Sequence, residues 1–162
     1  MAAVTAIYGA SVLNHAASFE LMPPDQQEML QRRERLLDDG YPYLVALRDD
    51  RVVGYAYASA YRPRPAYAAS VENSVYVAED ARRCGVGSAL LRALIDACVS
   101  AGRRQMIAVI GDPDASGSVA FHAAHGFRHV GRLHGVGSKF ERDIDTVIMQ
   151  RALAPALTGH NM

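Results

Sequence analysis

The stretch from Val71 to Ile110 limits what this chain can fold into more than any other. Val71 to Ala78 alternates: Val71, Asn73, Val75 and Val77 face one way, while Glu72, Ser74 and Tyr76 face the other. That is the period of a strand. A turn with Glu79-Asp80 leads to Arg82-Arg83-Cys84-Gly85-Val86-Gly87 and then to a helix through Ser100. In that helix Leu90, Leu91, Leu94, Ile95 and Val99 keep the 3.6-residue period. Met106 to Ile110 is short and continuously apolar, the mark of a strand buried on both faces. Strand, glycine turn, helix, strand is a crossover unit, and it joins two parallel neighbours of one sheet.

The flanking segments are built differently. Residues 6–18 read as a helix with Ile7, Tyr8, Val12 and Phe19 near its inner side. Pro23-Pro24-Asp25 opens a second helix that runs to Asp38 and stops at Gly40. Tyr43 to Leu47 and Arg51 to Tyr61 form a hairpin about Asp49-Asp50, and Arg62-Pro63-Arg64-Pro65 breaks into a loop. Residues 116–125 read as a short helix ended by Gly126, and Val130 to Val136 and Thr146 to Met149 as final strands. The expected fold is α/β: a mixed, mostly antiparallel sheet with a central parallel crossover and helices on both faces.

Length and composition narrow the class. The 162 residues fit one domain, with its core at about 6–151 and a tail at 152–162. A chain of this size buries roughly two thirds of its unfolded surface, so its core needs neither disulfide nor metal. Lysine plus arginine equals aspartate plus glutamate at 17 each, without the basic excess of a nucleic-acid binder. Cys84 and Cys98 imply no disulfide framework and fit a reducing compartment. The uncharged opening lacks a basic n-region and is interrupted by Thr5, Tyr8, Gly9, Ser11, Asn14 and His15, which argues against a signal peptide. No run is long and apolar enough for a membrane helix. His15, His125, His129 and His134 lack metal-ligand spacing, so no metal is expected.

The glycine loop carries the chemistry. Glycines at a helix start let backbone N–H groups approach a ligand, and the helix N-terminus adds partial positive charge. A pyrophosphate is the natural occupant, with Arg82 and Arg83 beside it. A nucleotide-binding Walker loop would need Gly-Lys-Ser/Thr, and a dinucleotide loop a third glycine where Leu90 stands. The bland alternative is a glycine-containing helix start with no ligand.

Arg82-x-x-Gly85-x-Gly87 resembles the Gln/Arg-x-x-Gly-x-Gly signature of the GNAT acetyltransferases, and His122 to Phe127 is similar to their later x-x-x-Gly-Phe segment. Glu72 to Val77, Ile107 to Gly111, Val136 to Phe140 and Asp145 to Val147 resemble the branch that acetylates phosphinothricin and methionine sulfone or sulfoximine. The likeness spans roughly residues 6–151. It implies acetyl-CoA as the coenzyme, with its diphosphate at Arg82, Arg83, Cys84, Gly85, Val86, Gly87 and Ser88. Its pantetheine arm would lie along Val75, Tyr76 and Val77, with Ser118 and His122 nearby. It also implies a small amino-acid-like amine as substrate, a homodimer and a cytoplasmic location.

Amine acetylation needs a neutral amine, a stabilised oxyanion and a protonated leaving thiolate. By the resemblance Glu72 is the candidate base, acting through water, and the Val77 amide the oxyanion donor. Glu72 could equally be an exposed strand glutamate. His122 is either the acid for the thiolate or a histidine that packs beside the coenzyme. Arg62 is the candidate carboxylate clamp, with Arg64 in reserve, or else a solvated loop arginine. Lys139 joins the expected acceptor pocket, and Phe19, Tyr61 and Tyr67 either line it or are ordinary core aromatics. The chain departs from the branch at Ala115 (usually asparagine), at Gly9 and at Glu141-Arg142-Asp143-Ile144, and its opening strand is expected to be absent or shortened. Two other readings stay open: acetylation of a protein N-terminus or polyamine, and a non-catalytic acetyl-CoA sensor.

Overall fold

The structure, a computed structural model, describes residues 1–153, with the side chains of Ala115 and Ser116 excepted. The tail beyond 153 and the side chain at the Ala115 departure therefore lie outside the described residues. The elements run α1 (Ala2–Asn14), α2 (Gln26–Asp38), β1 (Tyr43–Arg48), β2 (Arg51–Ala60), β3 (Ser70–Val77), α3 (Val86–Ser100), β4 (Gln105–Gly111), α4 (Pro113–Ser116), α5 (Ser118–Ala124), β5 (Arg128–Lys139) and β6 (Arg142–Ala152).

The six strands form one sheet in the order β1-β2-β3-β4-β6-β5. Every neighbouring pair is antiparallel except β3 and β4, which the α3 crossover makes parallel. The crossover is thus where alternation, helical period and apolar run placed it.

Helices cover both faces. On one, Leu90, Leu91, Leu94, Ile95 and Cys98 of α3 bury against Ala56, Ala58, Val71, Met106 and Ala108. Leu91 and Leu94 are fully buried, each adding about 1.5–3 kcal/mol of burial free energy. Gly54 permits this approach, because a Cβ there would stand 3.0 Å from both Leu90 and the Tyr76 carbonyl. On the other face Val4, Tyr8 and Val12 of α1 and Met29 of α2 close over Tyr55. Tyr43, Tyr55, Tyr57 and Tyr76 stack beneath them, with centroids 5.1–6.2 Å apart.

Three expectations change. The first helix spans Ala2–Asn14 rather than 6–18, so Phe19 lies beyond it and not on its inner side. The helix expected over 116–125 is Ser118–Ala124, because Gly117 at φ 64° parts it from the one-turn helix Pro113–Ser116. Val109 of β4 is exposed, so that strand is buried on both faces only in part.

Candidate active site

β3 and β4 pair through three residues, Ser70, Val71 and Glu72, opposite Gln105, Met106 and Ile107. Beyond that last rung both strands continue, to Val77 and Gly111, without pairing to each other among the described residues. They splay, and a wedge opens in the sheet. The Ala78 N–H donates to the Val53 carbonyl of β2. Backbone groups alternate along a strand, so the odd-numbered amides point the other way; that of Asn73 closes the Glu72–Ile107 rung, and those of Val75 and Val77 point into the wedge. An extended ligand there finds a ready ladder, as in strand addition. Tyr76 does not join it. Its backbone pairs with Tyr55 and its ring is stacked in the tyrosine layer, which corrects its expected place beside the coenzyme.

The glycine loop stands at the mouth of the wedge. Gly85 caps α3 at φ 81°, a conformation that costs glycine little and other residues more. No side chain caps this helix, so its first amides remain available to an anion. A Cβ on Gly87 would meet Phe121 and Val77 at no closer than 3.5 Å, so packing alone does not demand glycine there. Arg83 and Cys84 are exposed, and Arg82 donates to His15 Nε2 over 3.0 Å, which ties this loop to the end of α1. Phosphate chemistry fits these groups.

Glu72 sits at the vertex on the α1/α2 face, directly opposite Ser59 of β2. Burial pushes its carboxyl above the usual glutamate range, and the charge of Arg62 partly opposes this. Ser59 also lines a cavity of about 310 Å³ between α2 and the sheet, bounded by Tyr8, Tyr43, Tyr55 and Tyr57. Arg62, Arg64 and Tyr67 stand exposed on the loop after β2, with the Arg62 guanidinium 5.1 Å from the Tyr61 ring centroid.

His122 lies on the opposite face of β3. It is buried, and both ring nitrogens are engaged: Nδ1 at 2.8 Å from the Ser118 carbonyl and Nε2 at 3.0 Å from Asn73 Nδ2. Burial lowers its pKa, so the ring is neutral near pH 7. Of the two expected roles, this geometry favours the hydrogen-bonded packing one.

Lys139 differs from its expected acceptor-pocket role. It is 4 % exposed, and Nζ donates to the carbonyls of His15 (2.9 Å) and Ser18 (2.7 Å). Its charge holds the loop after α1 against β5. Phe19 is seated in that loop over Gly111 and Gly137; a Cβ on Gly137 would come within 2.3 Å of its ring. Glu20 anchors the same loop by accepting from Tyr8 and Arg32. Sequence reasoning missed Asn73, although a polar residue among Val71, Val75 and Val77 on one register was a visible signal. No cluster of three or more potential metal ligands occurs among the described residues.

A splayed parallel pair, an uncapped glycine-led helix at its mouth and a half-buried carboxylate at its vertex define an acyl-coenzyme-binding transferase fold. Residues 10–127 match the acetyltransferase (GNAT) family, and the chain belongs to it. It is 52% identical over 151 residues to the phosphinothricin N-acetyltransferase of Alcaligenes faecalis, covering 93% of this chain and 77% of that one. It is 37% identical over 156 residues to the L-methionine sulfoximine/L-methionine sulfone acetyltransferase of Pseudomonas paraeruginosa, covering 94% and 88%. Among solved structures, a GNAT superfamily phosphinothricin acetyltransferase from Sinorhizobium meliloti in complex with AcCoA superposes with a TM-score of 0.89 at 44% identity, covering 97% and 88%.

Proposed function

We propose that this chain acetylates the amine of a small amino-acid-like molecule of the phosphinothricin, methionine sulfone or methionine sulfoximine type. Acetyl-CoA is the donor, and attack is direct within a ternary complex. The observation that carries this reading is Glu72 at the vertex of the wedge, with the Arg62 charge acting on it. The relatives named for those substrates support it.

When bound, acetyl-CoA supplies an acetyl group activated as a thioester. The amides of α3, with Arg82 and Arg83, hold the diphosphate. The Val75 and Val77 backbone would align the pantetheine arm, and the Val77 amide would serve as the oxyanion donor. Such a donor contributes about 3 kcal/mol to the transition state. Glu72 takes the ammonium proton through water, which its raised pKa assists. Arg62, with Arg64 behind it, holds the acceptor's carboxylate, and Phe19 and Tyr67 border the pocket. His122 orients its neighbours rather than delivering a proton, since its one ring proton is held by Ser118.

The protein acts as a cytoplasmic homodimer. Exposed Val130, Leu133 and Val136 on the outer strand β5 offer the contact surface. No helix among the described residues is long and apolar enough to cross a membrane. Release of free CoA thiol, measured against a panel of amines, tests the activity. Turnover of the amino acid analogues supports it. Turnover of polyamines or N-terminal peptides alone, or coenzyme binding with no turnover, overturns it. Light scattering of the purified protein tests the dimer.

A further inference from the structure

The hydrogen bonds around His122 determine the state of a residue that nothing above employs. The Ser118 carbonyl can only accept, and it lies 2.8 Å from His122 Nδ1. The ring proton is therefore on Nδ1. Nε2 is then an acceptor, and the group 3.0 Å from it must be a donor, which is the Asn73 amide nitrogen. This orients the whole carboxamide: with NH₂ turned to His122, the oxygen Oδ1 faces elsewhere. Asn73 is 7 % exposed, and Oδ1 is buried with no hydrogen-bond partner among the described residues. A buried acceptor without a donor is costly, and such groups are rare in folded proteins.

The position of the orphan says what would fill it. Asn73 is the first residue past the Glu72–Ile107 rung, where β3 and β4 have just parted. Its backbone amide closes that rung on the Ile107 carbonyl, and its side chain leaves the sheet on the α3/α5 face, opposite Glu72. The ligand that fits must bring a hydrogen-bond donor to the narrow end of the wedge. In acetyl-CoA lying with its thioester there, the donor is the amide N–H next to the cysteamine. In the product, the thiol S–H is a second.

We propose that Asn73 Oδ1 accepts a hydrogen bond from the thioester end of the coenzyme, and that His122, as a positioning residue, holds the carboxamide in the orientation this requires. The proposal rests on the reading that the wedge binds acetyl-CoA. It gives His122 a task that needs its Nδ1–H tautomer and no proton transfer.

Calorimetric binding of acetyl-CoA and of free CoA tests this on wild type and on Asn73→Leu, with circular dichroism as the folding control. The variant should bind roughly two- to tenfold more weakly, the range for one lost hydrogen bond. Equal weakening of both ligands assigns the donor to the amide N–H, and weakening of CoA alone assigns it to the thiol. A folded Asn73→Leu that binds both as tightly as wild type overturns the proposal, while leaving the proposed function intact. Wild type that binds neither ligand overturns both. A second measurement needs no variant. Long-range ¹H–¹⁵N correlation of the wild-type imidazoles should show His122 protonated on Nδ1 with and without acetyl-CoA. A proton on Nε2 would turn the Asn73 oxygen toward His122 and overturn the assignment.

Discussion

Glu72 and Ile107 form the last rung between β3 and β4, and the sheet opens immediately beyond them. The carboxylate therefore stands where an extended ligand entering the wedge must end. Its burial gives it a pKa suited to taking a proton at a pH where an ordinary glutamate is a poorer base.

Replacing Glu72 by Gln should lower kcat by about 10²-fold or more, as expected for loss of a positioned base. The carboxylate form is the active one, so wild-type activity should fall as pH drops through a limb above the ordinary value of 4.5. That limb should vanish in Glu72→Gln. A carboxyl whose folded pKa is raised contributes most to stability below its unfolded pKa, and this contribution is lost as pH rises through the folded one. Glu72→Gln should therefore melt higher than wild type at pH 7, with the gap closing toward pH 4. A pH series of rates and melting temperatures checks both.

Arg62→Ala should raise the KM for an amino-acid acceptor about tenfold or more while leaving acetyl-CoA binding unchanged, because truncating one partner of a charged pair costs about 1.5–3 kcal/mol. It also removes the positive charge that holds the Glu72 pKa down, so the acid limb should move to higher pH. An unchanged acceptor KM sinks the clamp.

Gly137→Ala would put a methyl group inside the Phe19 ring, at 2.3 Å. The ring must leave its seat, at a cost of about 1–3 kcal/mol for overpacking. The expected result is a lower melting temperature and a raised acceptor KM, with coenzyme affinity kept. Steady-state kinetics alongside calorimetry separates the two sites.

Asp145 accepts from the Gly135 amide and from Arg132 and His134, and these donors, the amide first, hold its pKa at about 2. A lowered carboxyl stabilises the fold above its unfolded pKa, and the effect is lost as pH falls through the folded one. Asp145→Asn and wild type should melt alike near pH 2, diverge up to about pH 4 and keep a constant gap above that. A gap that does not change with pH would refute the assignment.

The crossover was legible because its signals are local: alternation in Val71–Val77, helical period in Leu90–Ile95, a glycine turn between them. Family resemblance added Glu72, which periodicity alone leaves as a strand residue. The ends of the first helix were not legible. Ala2 and Ala3 favour a helix without marking its start, and no side chain caps it. Lys139 could not be read as a latch, since the carbonyls it binds lie 124 and 121 positions away. The seat of Phe19 is equally non-local, with Gly111 and Gly137 coming from different strands. Tyr76 shows the limit of motif transfer: its neighbours Val75 and Val77 face the wedge, while pleat parity turns it away.

The strand order β4-β6-β5 has a consequence for synthesis on the ribosome. The last strand to emerge, Arg142–Ala152, is an interior one, and β5 has no other strand partner in the sheet. Until it leaves the exit tunnel, β4 and β5 both display open edges, and the sheet lacks its full span. Productive folding of this half consequently waits for β6 to emerge, and a chain stalled near Glu141 is a substrate for chaperones and proteases.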